Sequence, residues 1–163
     1  MRVGKGGPLG GSQWGSAVDG VRAYVAISDV RYLSMTQLDP RTGGGLFGID
    51  LETGRIGWSA PPVPCDGRAQ CSPALSAAVT VIPGVVFAGG VSGFLRAYAT
   101  ADGRLLWETD TARDYVTVNG VPARGGAIDG PGPTIVDGML YVVSGYDLRG
   151  GKPGNVLLAF APR

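Results

Sequence analysis

The chain contains no histidine. That absence excludes a Ser-His-Asp triad, a His-ligated zinc and a Cys-x-x-Cys-His haem attachment, so redox or hydrolytic chemistry here would have to borrow a cofactor. Charge is scarce and balanced, with 14 basic against 13 acidic residues, which gives no electrostatic reason to expect nucleic acid or an anionic membrane as partner. No apolar run approaches the roughly 18 residues of a membrane-spanning helix. The opening "MRVGKGGPLGG" lacks the apolar stretch of a signal peptide, so an export signal, if the protein is exported, is expected outside this chain. There are only two cysteines, Cys65 and Cys71.

What the chain does have is 29 glycines, 12 prolines and 44% hydrophobic residues. Turn formers separating short apolar runs such as "RAYVAIS", "GVVFAGG" and "LYVVSG" predict an all-β fold, with no convincing amphipathic helix. A repeat sharpens this. "GIDLETGRIGW" at 48–58 returns as "AYATADGRLLW" at 97–107, an interval of 49 residues. A period near 50 with four short strands per unit is the pattern of a propeller blade. The units span about 11–59, 73–109 and 131–161, the last without an outer strand. Trp58 and Trp107, at the ends of outer strands, are expected to pack against the neighbouring blade beside a glycine-containing turn.

Strand alternation sorts the connections onto two faces. Those on one are short: "VDGVR", "LETGR", "VIPGV", "TADGR" and "VDGM". Those on the other are mostly long: "DVRYLSMTQLDPRTGGG", "SAPPVPCDGRAQCSPA", "TDTARDYVTVNGVPARGGAIDGPG" and "YDLRGGKPG". Long loops on a rigid scaffold are where binding and catalysis usually sit. Because ring closure takes about 4–8 blades, the chain is expected to be the C-terminal part of a larger propeller whose remaining blades complete the disc; an assembly of several copies is the weaker alternative.

The "D-x-x-T-G-R-x-x-W" of residues 50–58 resembles the tryptophan-docking repeat of propellers related to the pyrroloquinoline-quinone (PQQ) dehydrogenases, a motif shared with non-catalytic scaffolds. Longer phrases, "GGSQWGSAVDG", "CSPALSAAVTVIPGVVFAGG", "TVNGVPARGGAIDGPGPT" and "SGYDLRGGKPGNVLLAF", resemble the C-terminal portion of the polyvinyl-alcohol dehydrogenases in the PQQ-dependent alcohol dehydrogenase family. The resemblance covers essentially the whole chain. It implies a segment of a larger, eight-bladed propeller and a periplasmic quinoprotein. Such an enzyme would oxidise a polymeric alcohol or a smaller analogue and pass electrons to a cytochrome c.

The resemblance also implies site residues. The "GG-x-x-W-G" phrase occupies Gly10 to Gly15, which makes Trp14 the indole on which the quinone stacks. Asp29, five residues beyond Tyr24, takes the position of a Ca²⁺ ligand whose other ligands would lie upstream; a solvated loop carboxylate is the other reading. Asp66, the acidic residue between Trp58 and the next blade, is the candidate general base; an ordinary turn in "CDGR" is the other reading. Asn119 and Arg124, in the longest connector, are candidates to pair with the PQQ carboxylates. Asp129, in "IDGPG", reads as a turn-shaping residue. In a periplasmic protein Cys65 and Cys71 would form a disulfide that stiffens the elaborated face. Two functions therefore stand open. One is a sector of a quinoprotein dehydrogenase that is inactive by itself. The other is a non-catalytic propeller that binds another protein.

Overall fold

A computed structural model describes residues 1–147 and 150–162; Leu148 and Arg149 of the "YDLRGGKPG" loop, and Arg163, lie outside the described residues. The described residues contain strands and no helix. Three antiparallel sheets follow one another along the chain. In the first, β1 (Ala17–Val18), β2 (Arg22–Ala26), β5 (Leu46–Asp50) and β6 (Ile56–Ala60) lie side by side in that order. The second is β7 (Thr80–Ile82), β8 (Val85–Gly89), β9 (Phe94–Ala99) and β10 (Leu105–Asp110), again in chain order. The third is β13 (Thr134–Val136), β14 (Met139–Ser144) and β15 (Val156–Phe160). This consecutive, inner-to-outer meander is the architecture of a partial β-propeller.

Two of the long connections differ from the expected irregular loops, because each contains a hairpin. β3 (Tyr32–Ser34) pairs with β4 (Gln37–Leu38), and β11 (Asp114–Val116) pairs with β12 (Pro122–Arg124). The inner strands β1, β7 and β13 hold only two or three residues each. The residues that lead into them bond between blades: Val79 N–H donates to Gly15 O, Ala78 N–H to Gly130 O, and Gly130 N–H to Ser76 O. Trp14 therefore precedes β1 rather than lying in it.

The repeated phrase does two things in each blade. Its Thr-Gly-Arg or Asp-Gly-Arg tail turns the chain with glycine in the left-handed region, Gly54 at φ 67° and Gly103 at φ 73°. The residue before each tryptophan, Gly57 or Leu106, is a bulge, so Trp58 stands opposite Gly48 and Trp107 opposite Ala97. Trp58 is thereby turned into the seam between the first two sheets, where its Nε1–H donates to Thr100 O at 2.9 Å and its six-membered ring lies over Gly103. Tyr24, Leu46, Leu75, Val86 and Tyr98 complete that seam. Leu95, Ile128, Leu140 and Val142 fill the seam between the second and third sheets. A smaller cluster of Leu38, Ala74, Val91 and Ala127 joins the β3–β4 hairpin to the segments leading into the second and third blades, on the elaborated face.

Candidate functional site

The segments that lead into the three inner strands meet at one end of the partial disc, and their side chains form a chain of polar contacts. Ser76, buried, donates its hydroxyl to Gln13 Oε1 at 2.7 Å and lines the same small cavity as Asp129. Asp129 Oδ1 accepts the indole Nε1–H of Trp14 at 3.2 Å and the Gly130 amide at 2.8 Å. Trp14 remains 50% exposed, whereas Asp129 is 8% exposed. Burial pushes the Asp129 carboxyl above the ordinary carboxylate range; the nearby Ser76 hydroxyl and the hydrogen bonds from Gly130 and Trp14 oppose that rise, and Asp147 adds to it. A small cavity of ≈ 20 Å³ beside this group is lined by Gln13, Tyr32, Ser76, Asp129 and Asp147 among others. Asp147 in turn accepts the amides of Gly150 and Gly151 at 2.9 and 2.7 Å.

The residues singled out from sequence fall in four separate places. Trp14 belongs to the axial group just described. Asp29, held at φ 43°, uses both carboxylate oxygens on the N-terminal segment, accepting Lys5 N–H at 3.0 and 2.9 Å and Gly11 N–H at 2.9 Å. Among the described residues no cluster of three metal-ligating side chains gathers around it or elsewhere. Asp66 is exposed, at φ 48°, in the turn closed by Arg68 N–H donating to Cys65 O at 3.0 Å. It lines an open groove with Pro40, Arg41, Pro62 and Arg68, none of which borders the axial cavity. Asn119 caps the tip of the β11–β12 hairpin through Thr117, while Arg124, exposed at the hairpin's base, pairs its backbone with Asn155. The hairpin keeps those two apart.

Cys65 and Cys71 form a disulfide. The loop it closes is docked on the second blade by Arg68, whose guanidinium lies 4.6 Å from the Phe94 ring centroid and 2.9 Å from Asp110 Oδ2. Asp129, expected to shape a turn, joins the axial group as well. It does bond the next amide, but its partner across 115 positions is Trp14.

The family described as outer membrane protein assembly factor BamB matches residues 42–161, well over half of the chain. The chain belongs to this family. The chain is 46% identical to a polyvinylalcohol dehydrogenase from Pseudomonas sp, over 98% of this chain and 26% of that protein. A polyvinylalcohol dehydrogenase from Sphingopyxis sp. (strain 113P3) is 40% identical over 96% of this chain and 25% of its own length. The chain thus spans about a quarter of these relatives, and the resemblance read from its longer phrases is borne out. Among solved structures, a quinohemoprotein alcohol dehydrogenase from Comamonas testosteroni matches with a TM-score of 0.55 at 18% identity, over 93% of this chain and 22% of that one. At that identity the match speaks for the shared propeller fold.

Proposed function

We propose that this chain is one sector of a PQQ-dependent alcohol dehydrogenase acting on secondary alcohols of the polyvinyl-alcohol type. Electrons would pass to a cytochrome c, and the whole protein would reside in the periplasm. The observation that carries this reading is the half-exposed Trp14 indole, tethered by its N–H at the axial end of the disc, in a chain 46% identical to a polyvinylalcohol dehydrogenase. A rigid aromatic plate suits a planar quinone. Bound PQQ would supply the two-electron acceptor for the hydride of the alcohol carbon. This chain's part is to orient: Trp14 offers its face, and Arg124 and Asn119, set apart on the β11–β12 hairpin, are proposed as separate carboxylate partners. Asp66 is the proposed acceptor of the substrate hydroxyl proton, although its groove shares no residue with the axial cavity, so the remaining blades would have to bring substrate and quinone to it. The disulfide supports an oxidising compartment.

Calcium fits less well. Both oxygens of Asp29 are already engaged by main-chain amides, so this carboxylate is committed to the N-terminal segment, and no step is assigned to a cation. Ligands for such an ion would come from the remaining blades. The test is the whole protein that carries this chain, reconstituted with PQQ and Ca²⁺ and assayed by dye reduction with polyvinyl alcohol and with 2-propanol. Turnover that collapses in Trp14→Ala and Asp66→Asn supports the assignments, and turnover indifferent to both removes them. The 163-residue chain alone is expected to show no turnover. A second reading, a non-catalytic scaffold, is favoured by the family's description; it requires the whole protein to show neither PQQ binding nor turnover.

A further inference from the structure

Trp14 and Asp129 lie 115 positions apart and belong to the first and third blades, yet the indole N–H is aimed at the carboxyl. The carboxyl is itself held on every side. Ile128 N–H donates to Gly90 O at 3.0 Å and Gly130 N–H to Ser76 O at 2.9 Å, so the backbone flanking Asp129 is pinned to the second blade. Its side chain accepts the Gly130 amide at 2.8 Å in addition to the Trp14 N–H. An aromatic ring that is half exposed ordinarily rotates about its side-chain torsions; a hydrogen bond from its edge to an immobile carboxyl removes that freedom.

We propose that Asp129 is a positioning residue for Trp14: its carboxyl, delivered from the third blade, holds the indole edge and keeps the aromatic face set for a planar quinone. The inference rests on the reading of Trp14 as the quinone-facing plate. It implies that the plate is rigid only when the first three inner-strand leaders are assembled, since Gln13, Ser76 and Asp129 come from different blades.

The test is indole ¹H–¹⁵N spectroscopy of the whole apo-protein labelled at tryptophan, with the Trp14 signal assigned by its loss in Trp14→Phe, together with titration by PQQ. In the wild type the Trp14 N–H should exchange with solvent about tenfold or more slowly than a water-exposed indole, the protection that a hydrogen bond to a carboxyl provides. Asp129→Ala should abolish that protection, shift the signal upfield and weaken PQQ binding severalfold; Asp129→Asn, whose amide oxygen still accepts, should restore both. Unprotected Trp14 in the wild type, a readout that needs no variant to fold, would overturn the inference while leaving the dehydrogenase reading intact. A signal that responds as expected, with PQQ binding unchanged in Trp14→Phe and Asp129→Ala alike, would instead remove Trp14 as the plate.

Discussion

The seam between the first two blades offers a matched pair of glycines that separates backbone conformation from side-chain docking. Gly54 and Gly103 occupy the same place in the repeat, with φ of 67° and 73°, and each donates its amide four residues back, to Asp50 O and Ala99 O, at 2.9 Å. A methyl group at Gly54 would meet nothing within 4 Å, whereas one at Gly103 would sit 2.5 Å from Cε3 and 2.7 Å from Cδ2 of Trp58. Gly54→Ala therefore carries only the left-handed backbone penalty, about 1–2 kcal/mol. Gly103→Ala adds overpacking against an indole that is 8% exposed and tied to Thr100, a further cost of about 1–3 kcal/mol.

Urea unfolding of both single variants and of Gly103→Ala in a Trp58→Ala background reads the difference. With the indole removed, the increment from Gly103→Ala should fall to that of Gly54→Ala, because only the backbone term is left. If Gly103→Ala costs the same as Gly54→Ala, or the same with and without the indole, then Trp58 is not seated on this turn and the docking account of the repeat is wrong.

Other expectations come from single contacts. Tyr24 donates to Asp19 at 2.6 Å, and burial together with that bond raises the phenol from 10.0 to about 12. The contribution is present below pH 10 and is lost as pH rises toward about 12, so the stability gap between wild type and Tyr24→Phe in urea should narrow across that window. On the acid side, the Tyr24 hydroxyl holds the Asp19 carboxyl below the ordinary aspartate value of 3.8; that benefit is present above 3.8 and fades as pH falls through the folded value. The Cys65–Cys71 bridge closes a short loop, and Cys65→Ser/Cys71→Ser should lower thermal stability by about 2 kcal/mol. Equal melting of the reduced and oxidised protein would refute this. Ser144, fully buried, bonds Thr111 Oγ1 at 2.8 Å and accepts Gly126 N–H at 2.9 Å; Ser144→Ala should cost about 1–3 kcal/mol in chemical unfolding by stranding that amide.

The blades were legible because their cause is local. A period of 49 residues, turn glycines and alternating apolar runs are written within each unit, and the strands from Arg22–Ala26 to Val156–Phe160 follow them. The axial site was only half legible. Trp14 announced itself through its phrase, but its partner is chosen by the packing of the third blade on the second, which no local pattern encodes. Asp29 carried the right residue type for a cation, yet its surroundings, the amides of Lys5 and Gly11, depend on how the N-terminal segment folds back. The hairpins at Tyr32–Leu38 and Asp114–Arg124 were missed for a related reason: pairs of two or three residues are too short for periodicity to register.

The two docking tryptophans show where a repeated phrase stops and its context begins. Both stand behind a bulge and both leave the outer strand at the same register, so the phrase governs their aim. Their burial differs, 8% for Trp58 against 37% for Trp107, because burial is conferred by what the next blade presents. Trp58 receives a glycine turn and the Thr100 carbonyl from the second blade, whereas Trp107 meets the Phe160 ring edge-on at 5.3 Å from β15. The same logic governs the candidate site. Trp14 is aimed by its own segment but bonded by Asp129 from the third blade, so its orientation belongs to the assembled blades and not to the first blade alone.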